Sequence, residues 1–160
     1  LHHDFWHLLI HRLCLETEKF ERDQMEPHTV VLEFSRGVEQ GGYRAAYRHL
    51  SRGVLERAAC LYVRVSYEES RRKNRKRFNP QRPDSILEHG LTDEKLERLY
   101  RDDDWDAFTS GDPQTLEAQG LRVPYAVFEN EDDVTTRGGD ALHERLEQAF
   151  GRLWRLRSSS

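Results

Sequence analysis

The sequence predicts an α/β domain organised as a three-layer parallel sheet. Three observations carry that expectation. Three short apolar runs have strand character, helical periodicities separate them, and the runs are mostly continuous rather than alternating, as in strands covered on both faces. At 160 residues the chain is most simply one domain. A chain of that length buries roughly 70% of its extended surface and needs no staples. The expected boundaries are one domain over residues 1–157, with a lid-like segment over 67–108 and a short serine tail over 158–160.

The first strand is expected over residues 29–34, within "HTVVLEFSRG", the second over 60–65 (CLYVRV) and the third over 123–128 (VPYAVF). Pro124 is expected only among the first residues of the third, because proline cannot donate to a ladder. Over residues 5–24, Trp6, Leu9, Ile10, Leu13 and Phe20 recur near a 3.6-residue period. Over 43–58, Tyr43, Ala46, Tyr47, Leu50, Val54 and Leu55 do the same. Residues 67–77 read as a charged helix. Thr92 is a candidate N-cap with Asp93 and Glu94 in the first turn, ahead of Leu96, Leu99 and Tyr100. Asp140 is a second candidate cap, ahead of Leu142, Leu146, Ala149, Phe150 and Leu153. Strands alternating with helices imply right-handed crossovers and a parallel sheet. Loops are expected over 36–42, 79–85, 109–114 and 135–140.

Bulk properties narrow the function. Hydrophobic residues make up 36% and charged residues 34%, with a net charge of −4. That balance gives no basic overall field, so a dedicated nucleic-acid binder is not expected. No run of ~18 apolar residues occurs, so no membrane span is expected. Cys14 and Cys60 lie in apolar segments and read as reduced core thiols of a cytoplasmic protein. The chain begins at Leu1 on an already apolar stretch, which suggests loss of an N-terminal piece.

In an open parallel sheet, ligands bind outside the carboxyl ends of the strands. Glu33, Ser66 and the Glu129–Asn130 pair should therefore lie along one rim. Glu33 reads either as a ligand for hydrated Mg²⁺ or as a strand-end acid paired with Arg36. From 71 to 82, seven of twelve residues are basic. Such a block repels itself unless an anion arrives. Arginine forks suit phosphate oxygens, although a solvated helix or a nucleic-acid patch are the other readings. His3, His7 and His11 share one helical face, but no HExxH or CxxC pattern accompanies them. Asp4 reads as an N-cap or as a catalytic base. The acidic run after the third strand reads as a solvated loop, within which Asn130 can line a base-binding pocket.

Taken together, "HDFW", "VVLEFSRG", "LYVRVSYEESRRKNRKRF" and "VPYAVFENEDDVTT" resemble, in this order, segments of the P-loop kinases of nucleosides and other small molecules. That resemblance implies an ATP- and Mg²⁺-dependent phosphotransferase acting on a small-molecule acceptor. It implies that Asp4 accepts the hydroxyl proton, and that Glu33, where this family more usually has Asp, holds Mg²⁺. Arg72 and Arg75 would close over the phosphates, Arg77 and Asn130 would contact the nucleotide, and His3, Arg36 and Tyr43 the acceptor. The phosphate-cradling Gly-x-x-x-x-Gly-Lys-Ser/Thr loop does not occur, and none of Lys19, Lys73, Lys76 and Lys95 follows a glycine. The resemblance therefore implies a kinase-type domain without its first β–α unit, inactive as it stands. The alternative is a non-catalytic nucleotide- or RNA-binding module of the same fold.

Overall fold

The structure, a computed structural model, describes residues 3–79, 81–82 and 90–158. Helix α1 spans His3–Asp23, α2 Gly42–Arg48, α3 Arg52–Arg57, α4 Tyr67–Arg77, α5 Asp93–Tyr100, α6 Trp105–Thr109, α7 Val134–Arg137 and α8 Gly139–Ser158. The strands are β1 (Cys60–Arg64), β2 (Thr115–Ala118) and β3 (Leu121–Glu129), in the order β1-β3-β2. β1 runs parallel to β3, with Cys60 opposite Tyr125. β2 runs antiparallel to β3, with Thr115 opposite Pro124. The sheet is thus mixed, and three strands of mixed sense do not establish the all-parallel, three-layer architecture expected.

The antiparallel strand lies just after the expected loop over 109–114. Gln119 and Gly120 both have positive φ (52° and 74°), the geometry of a two-residue hairpin turn whose twist matches its strands. The Gln119 amide also donates to the Tyr47, Arg48 and Leu50 carbonyls, the last at 2.7 Å. It thereby satisfies acceptors that the end of α2 leaves open.

Residues 29–34 correct the first strand assignment. Val30, Leu32 and Phe34 are half-buried while Val31, Glu33 and Ser35 are exposed, so the segment alternates as a strand does. It pairs with no strand among the described residues, and strand assignment requires a ladder partner. The segment lies antiparallel to α1. The Phe20 and His28 rings meet at 5.2 Å at one end, and Arg36 bonds the Trp6 carbonyl at the other. Pro124 is the fourth residue of β3, deeper than expected, and fully buried. The Tyr125 N–H donates toward the β2 side, to the Gln114 carbonyl. Position 124 therefore faces the β1 side, where the ladder begins only at Tyr125.

Alternation along the strands divides the core. Cys60, Tyr62, Val123 and Tyr125 join Ile10, Cys14, Ala46, Tyr47, Leu55 and Trp105 on one face. Leu61 and Phe128 join Val134, Leu142, Leu146 and Ala149 on the other. Within α1 the buried stripe is Ile10, Cys14 and Thr17, so Leu9 and Phe20, expected inward, are exposed. The helix expected over 43–58 is two helices. Ser51 breaks it by accepting from the Val54 N–H, an N-cap that begins α3. Thr92 caps α5 as expected, and Asp140 lies in the first turn of α8. α6 is a helix the periodicity did not reveal. Both cysteines are free thiols; burial pushes that of Cys60 up to about 11, beyond nucleophilic use. Among the described residues no helix is long and apolar enough to cross a membrane.

Gly37 marks the tightest backbone approach. A Cβ there would lie 2.2 Å from the Leu99 carbonyl oxygen and 3.3 Å from that of Asp102. Both are backbone atoms that cannot swing aside. Gly37→Ala is expected to cost about 1–3 kcal/mol, as overpacking does, read as a lower urea midpoint. Gly111→Ala, where a Cβ meets nothing within 4 Å, should stay within about 0.5 kcal/mol of wild type.

Candidate functional site

Two clusters hold the candidate residues, and α5 lies between them. The first is the corner where the residue 28–37 segment returns to the start of α1. Arg36 is only 3% exposed. Its Nη2 donates to the Trp6 carbonyl at 2.5 Å, and its guanidinium carbon lies 5.1 Å from the centre of the Trp6 ring. Its Nε is buried without a hydrogen-bond partner, and no carboxylate among the described residues pairs with it. Burial pulls its pKa down. The expected Glu33–Arg36 pair does not form; Glu33 is exposed.

Around Arg36 the chain gathers imidazoles. The His7 and His49 rings stack at 3.9 Å and 21°, and His49 Nδ1 lies 3.1 Å from His11 Nε2. Burial lowers the His49 pKa first, then the charges of His7, His11 and Arg36, opposed by Asp4. Asp4 is exposed in the first turn of α1 and acts on the same imidazole. His3 begins α1, and its side chain lies outside the described residues. Tyr43 stands close to Arg36 but is half-buried in the core. Its ring meets Tyr62 at 5.7 Å and Trp105 at 5.6 Å, and burial raises its pKa. Tyr43 thus serves the core through its ring while standing beside Arg36.

The loop that carries Arg36 is held by the chain after α5. The Val38 N–H donates to the Asp102 carbonyl, and Arg98 pairs with Glu39. Asp104 accepts from the Tyr43 and Arg44 backbone N–H groups at 2.5 and 3.1 Å, capping α2. Gly42, at φ +70°, makes room for that carboxylate, since a Cβ would sit 2.4 Å from it.

The second cluster surrounds α4. Ser66 caps it by accepting from Glu69 N–H, Glu68 and Glu69 lie in its first turn and Arg75, Lys76 and Arg77 in its last, an order that suits the helix dipole. Arg72 binds Glu69 and Asp133, each at 2.6 Å, which raises its pKa. Arg75 pairs with Asp93. Lys73 bonds the backbone and side-chain oxygens of Asn130 at 2.7 and 2.6 Å, and Thr135 also donates to that side-chain oxygen. Asn74 is buried and forms a two-way bond with the Leu91 backbone. The block that looked self-repelling is therefore largely compensated by carboxylates of the chain. Arg77 is exposed at the end of the helix. Arg36 lies on the segment that meets the C-terminal end of α5 through Gly37 and Leu99, and Arg75 pairs with Asp93 at its N-terminal end.

The acidic run after β3 is a tie-down. Glu131 accepts from the Ser66 hydroxyl at 2.7 Å, Asp132 pairs with Arg145 and Asp133 with Arg72. No group of three or more His, Cys, Asp or Glu among the described residues is arranged to hold a metal. A lone exposed Glu33 does not make a Mg²⁺ site, which needs several oxygen ligands. A hollow of about 650 Å³ lies elsewhere, between Arg44, Phe108, Asp112 and Arg122. It is open, and its Arg122 is already paired with Asp112, so the Arg36 corner is chemically the more telling place. No known protein family, curated protein or solved structure matches this chain.

Arg145 holds the Asp132 carboxyl at about 2, well below its ordinary value of 3.8. A depressed carboxyl contributes stability above its unfolded pKa and loses it as pH falls through the folded one. Carboxyl NMR titration should find that midpoint near 2, moving back toward 3.8 in Arg145→Gln.

Proposed function

We propose that this chain supplies the acceptor side of an ATP-dependent phosphotransferase acting on a small, anionic or phosphate-bearing molecule. The observation that carries the reading is Arg36, a guanidinium that is 3% exposed and has no carboxylate partner among the described residues. An uncompensated buried charge costs on the order of several kcal/mol. A site that receives an anion removes that penalty, and a planar guanidinium fork suits phosphate or carboxylate oxygens. Asp4 stands at the same corner, since its charge acts on His49 as that of Arg36 does. It would take the proton of an accepting hydroxyl.

α4 rises from the C-terminal end of β1 and Asn130 follows the C-terminal end of β3, so both border one edge of the parallel pair. Arg72 and Arg75 would serve a nucleotide only by exchanging partners. Their present pairs are half-exposed, and such pairs contribute only about 0–1 kcal/mol, so the exchange is cheap. Among the described residues no cluster is arranged to hold a metal ion. An RNA-binding reading is weaker, because carboxylates already compensate the basic helix.

Acceptor-dependent ATP consumption by the full-length protein, followed by ³¹P NMR across a panel of small hydroxyl compounds, tests the reading. Asp4→Asn should lower turnover by about 10²–10⁴-fold, the usual contribution of a general base. Acceptor binding by Asp4→Asn should persist, and Arg36→Lys should weaken it. ATP consumption indifferent to every acceptor, or unchanged in Asp4→Asn, would sink the proposal.

A further inference from the structure

Resting on the reading of Arg36 as an anion contact, we propose that the same corner is a proton-linked oxyanion site. His49, backed by His7 and His11, takes up a proton when a dianionic, phosphate-type group settles beside Arg36. The geometry makes the case. His49 Nδ1 and His11 Nε2 face each other at 3.1 Å. One of the two must carry the proton and the other must accept it, because two imidazoliums would set N–H against N–H. His7 lies flat on His49 at 3.9 Å, a second cation-capable ring on the same face. The groups that act on His49 are Asp4, His7 and His11 from α1 and Arg36 from the loop before α2. Asp4 is the one negative charge among them. Ligand-free His49 is therefore kept short of protons, which agrees with its lowered pKa.

An arriving dianion changes the balance. It neutralises Arg36, a charge that now opposes protonation of His49, and offers a hydrogen-bond acceptor to an imidazolium. The turn at Gly41 and Gly42, both at positive φ, passes beside His7 without a side chain of its own. No bond is made or broken beyond the transfer of one proton from solvent to the ring. Binding and protonation must then strengthen each other equally. The His49 pKa rises when the anion binds, and anion affinity rises as pH falls through the bound-state pKa, levelling off below the free-state one.

Sulfate is the probe, because it holds its double charge throughout the relevant pH range and any pH dependence belongs to the protein. Imidazole NMR titration of the whole chain, with sulfate against chloride at equal ionic strength, should show the His49 pKa rising by about one unit. That shift corresponds to about a tenfold gain in sulfate affinity at low pH. Calorimetry from pH 8 to 5 should show the same tenfold rise in wild type and a flat profile in His49→Gln, which keeps Arg36. Arg36→Lys should bind sulfate more weakly at every pH. If His49→Gln fails to fold, the wild-type NMR titration decides alone. Sulfate binding without a His49 shift overturns the proton linkage and leaves the Arg36 reading standing. No sulfate binding at any pH by the folded protein overturns both.

Discussion

Trp105 is the contact on which the rest of the fold converges. It is 1% exposed, stacks on Tyr62 of β1 at 4.1 Å and 5°, and meets Tyr43 of α2, Tyr125 of β3 and Phe108 edge-on. One side chain thus joins two strands and two helices. The residues around it repeat the job with polar groups. Asp103 accepts from the Tyr62 hydroxyl at 2.7 Å, Asp104 caps α2, and Asp106 pairs with Arg64. The run "DDDW" is therefore a hub, and the Arg36 loop hangs from it through Val38, Gly37 and the capped start of α2. The hub thus helps to hold Arg36 against Trp6, together with the Arg36–Trp6 hydrogen bond itself.

Charge is distributed around that frame in two different ways. Along the surface, Arg72, Arg75, Arg101, Arg122 and Arg145 each find a carboxylate. Pairs of this kind are screened and contribute little individually. They fix orientation: Arg145 holds the turn after β3 against α8, and Arg72 ties α4 to the same turn. Arg36 is the reverse case. It is buried, and among the described residues its guanidinium bonds the Trp6 carbonyl and lies over the Trp6 ring with no carboxylate partner. Surface pairing is what a folded chain does with spare charge, whereas a buried guanidinium held open needs a reason beyond folding.

How much of this was legible depended on how local each determinant is. α1, α4 and α5 follow from periodicity and caps carried within a few residues, as with Ser66, Thr92 and the graded charges of α4. β1 and β3 were visible as dense apolar runs. The hairpin of β2 was written in "TLEAQGLRV", in which Leu116, Ala118, Leu121 and Val123 alternate about a Gln-Gly turn, but four residues are a faint signal. Residues 29–34 failed for a non-local reason. They have the composition and the alternation of a strand, yet a strand is a property of two chains of backbone and no described segment pairs with them. The site divided in the same way. Arg36 was noticed from its place at the end of an apolar run, but His49 was not. Its contacts with His7 and His11 span 42 and 38 residues, and only the fold brings those helices together. The core packing of Tyr43 was only half visible, because its pattern suits a loop contact and a core residue equally well.

The separation of the two arginine groups bears on what the molecule can do. The α4 arginines, already paired with carboxylates, and Arg36 attach to opposite ends of α5, a helix about 12 Å long, so on the proposed reading they would not share one small anion. They can grip the two ends of a longer one, or two ligands side by side. Transfer between two bound molecules needs that second arrangement, with reacting atoms brought within about 3–3.5 Å. The span of α5 therefore sets a geometric requirement. Either the groups that meet lie between the clusters, or α4 and α5 move as a unit toward the Arg36 corner. The Asn74–Leu91 bonds and the Arg75–Asp93 pair join α4 to α5, whereas Arg98–Glu39 and the Gly37–Leu99 approach join α5 to the loop. The first joint is a buried two-way hydrogen bond. The second rests on an exposed ion pair, backbone contact at a glycine and one Val38–Asp102 hydrogen bond, so it is the joint at which such a motion would open.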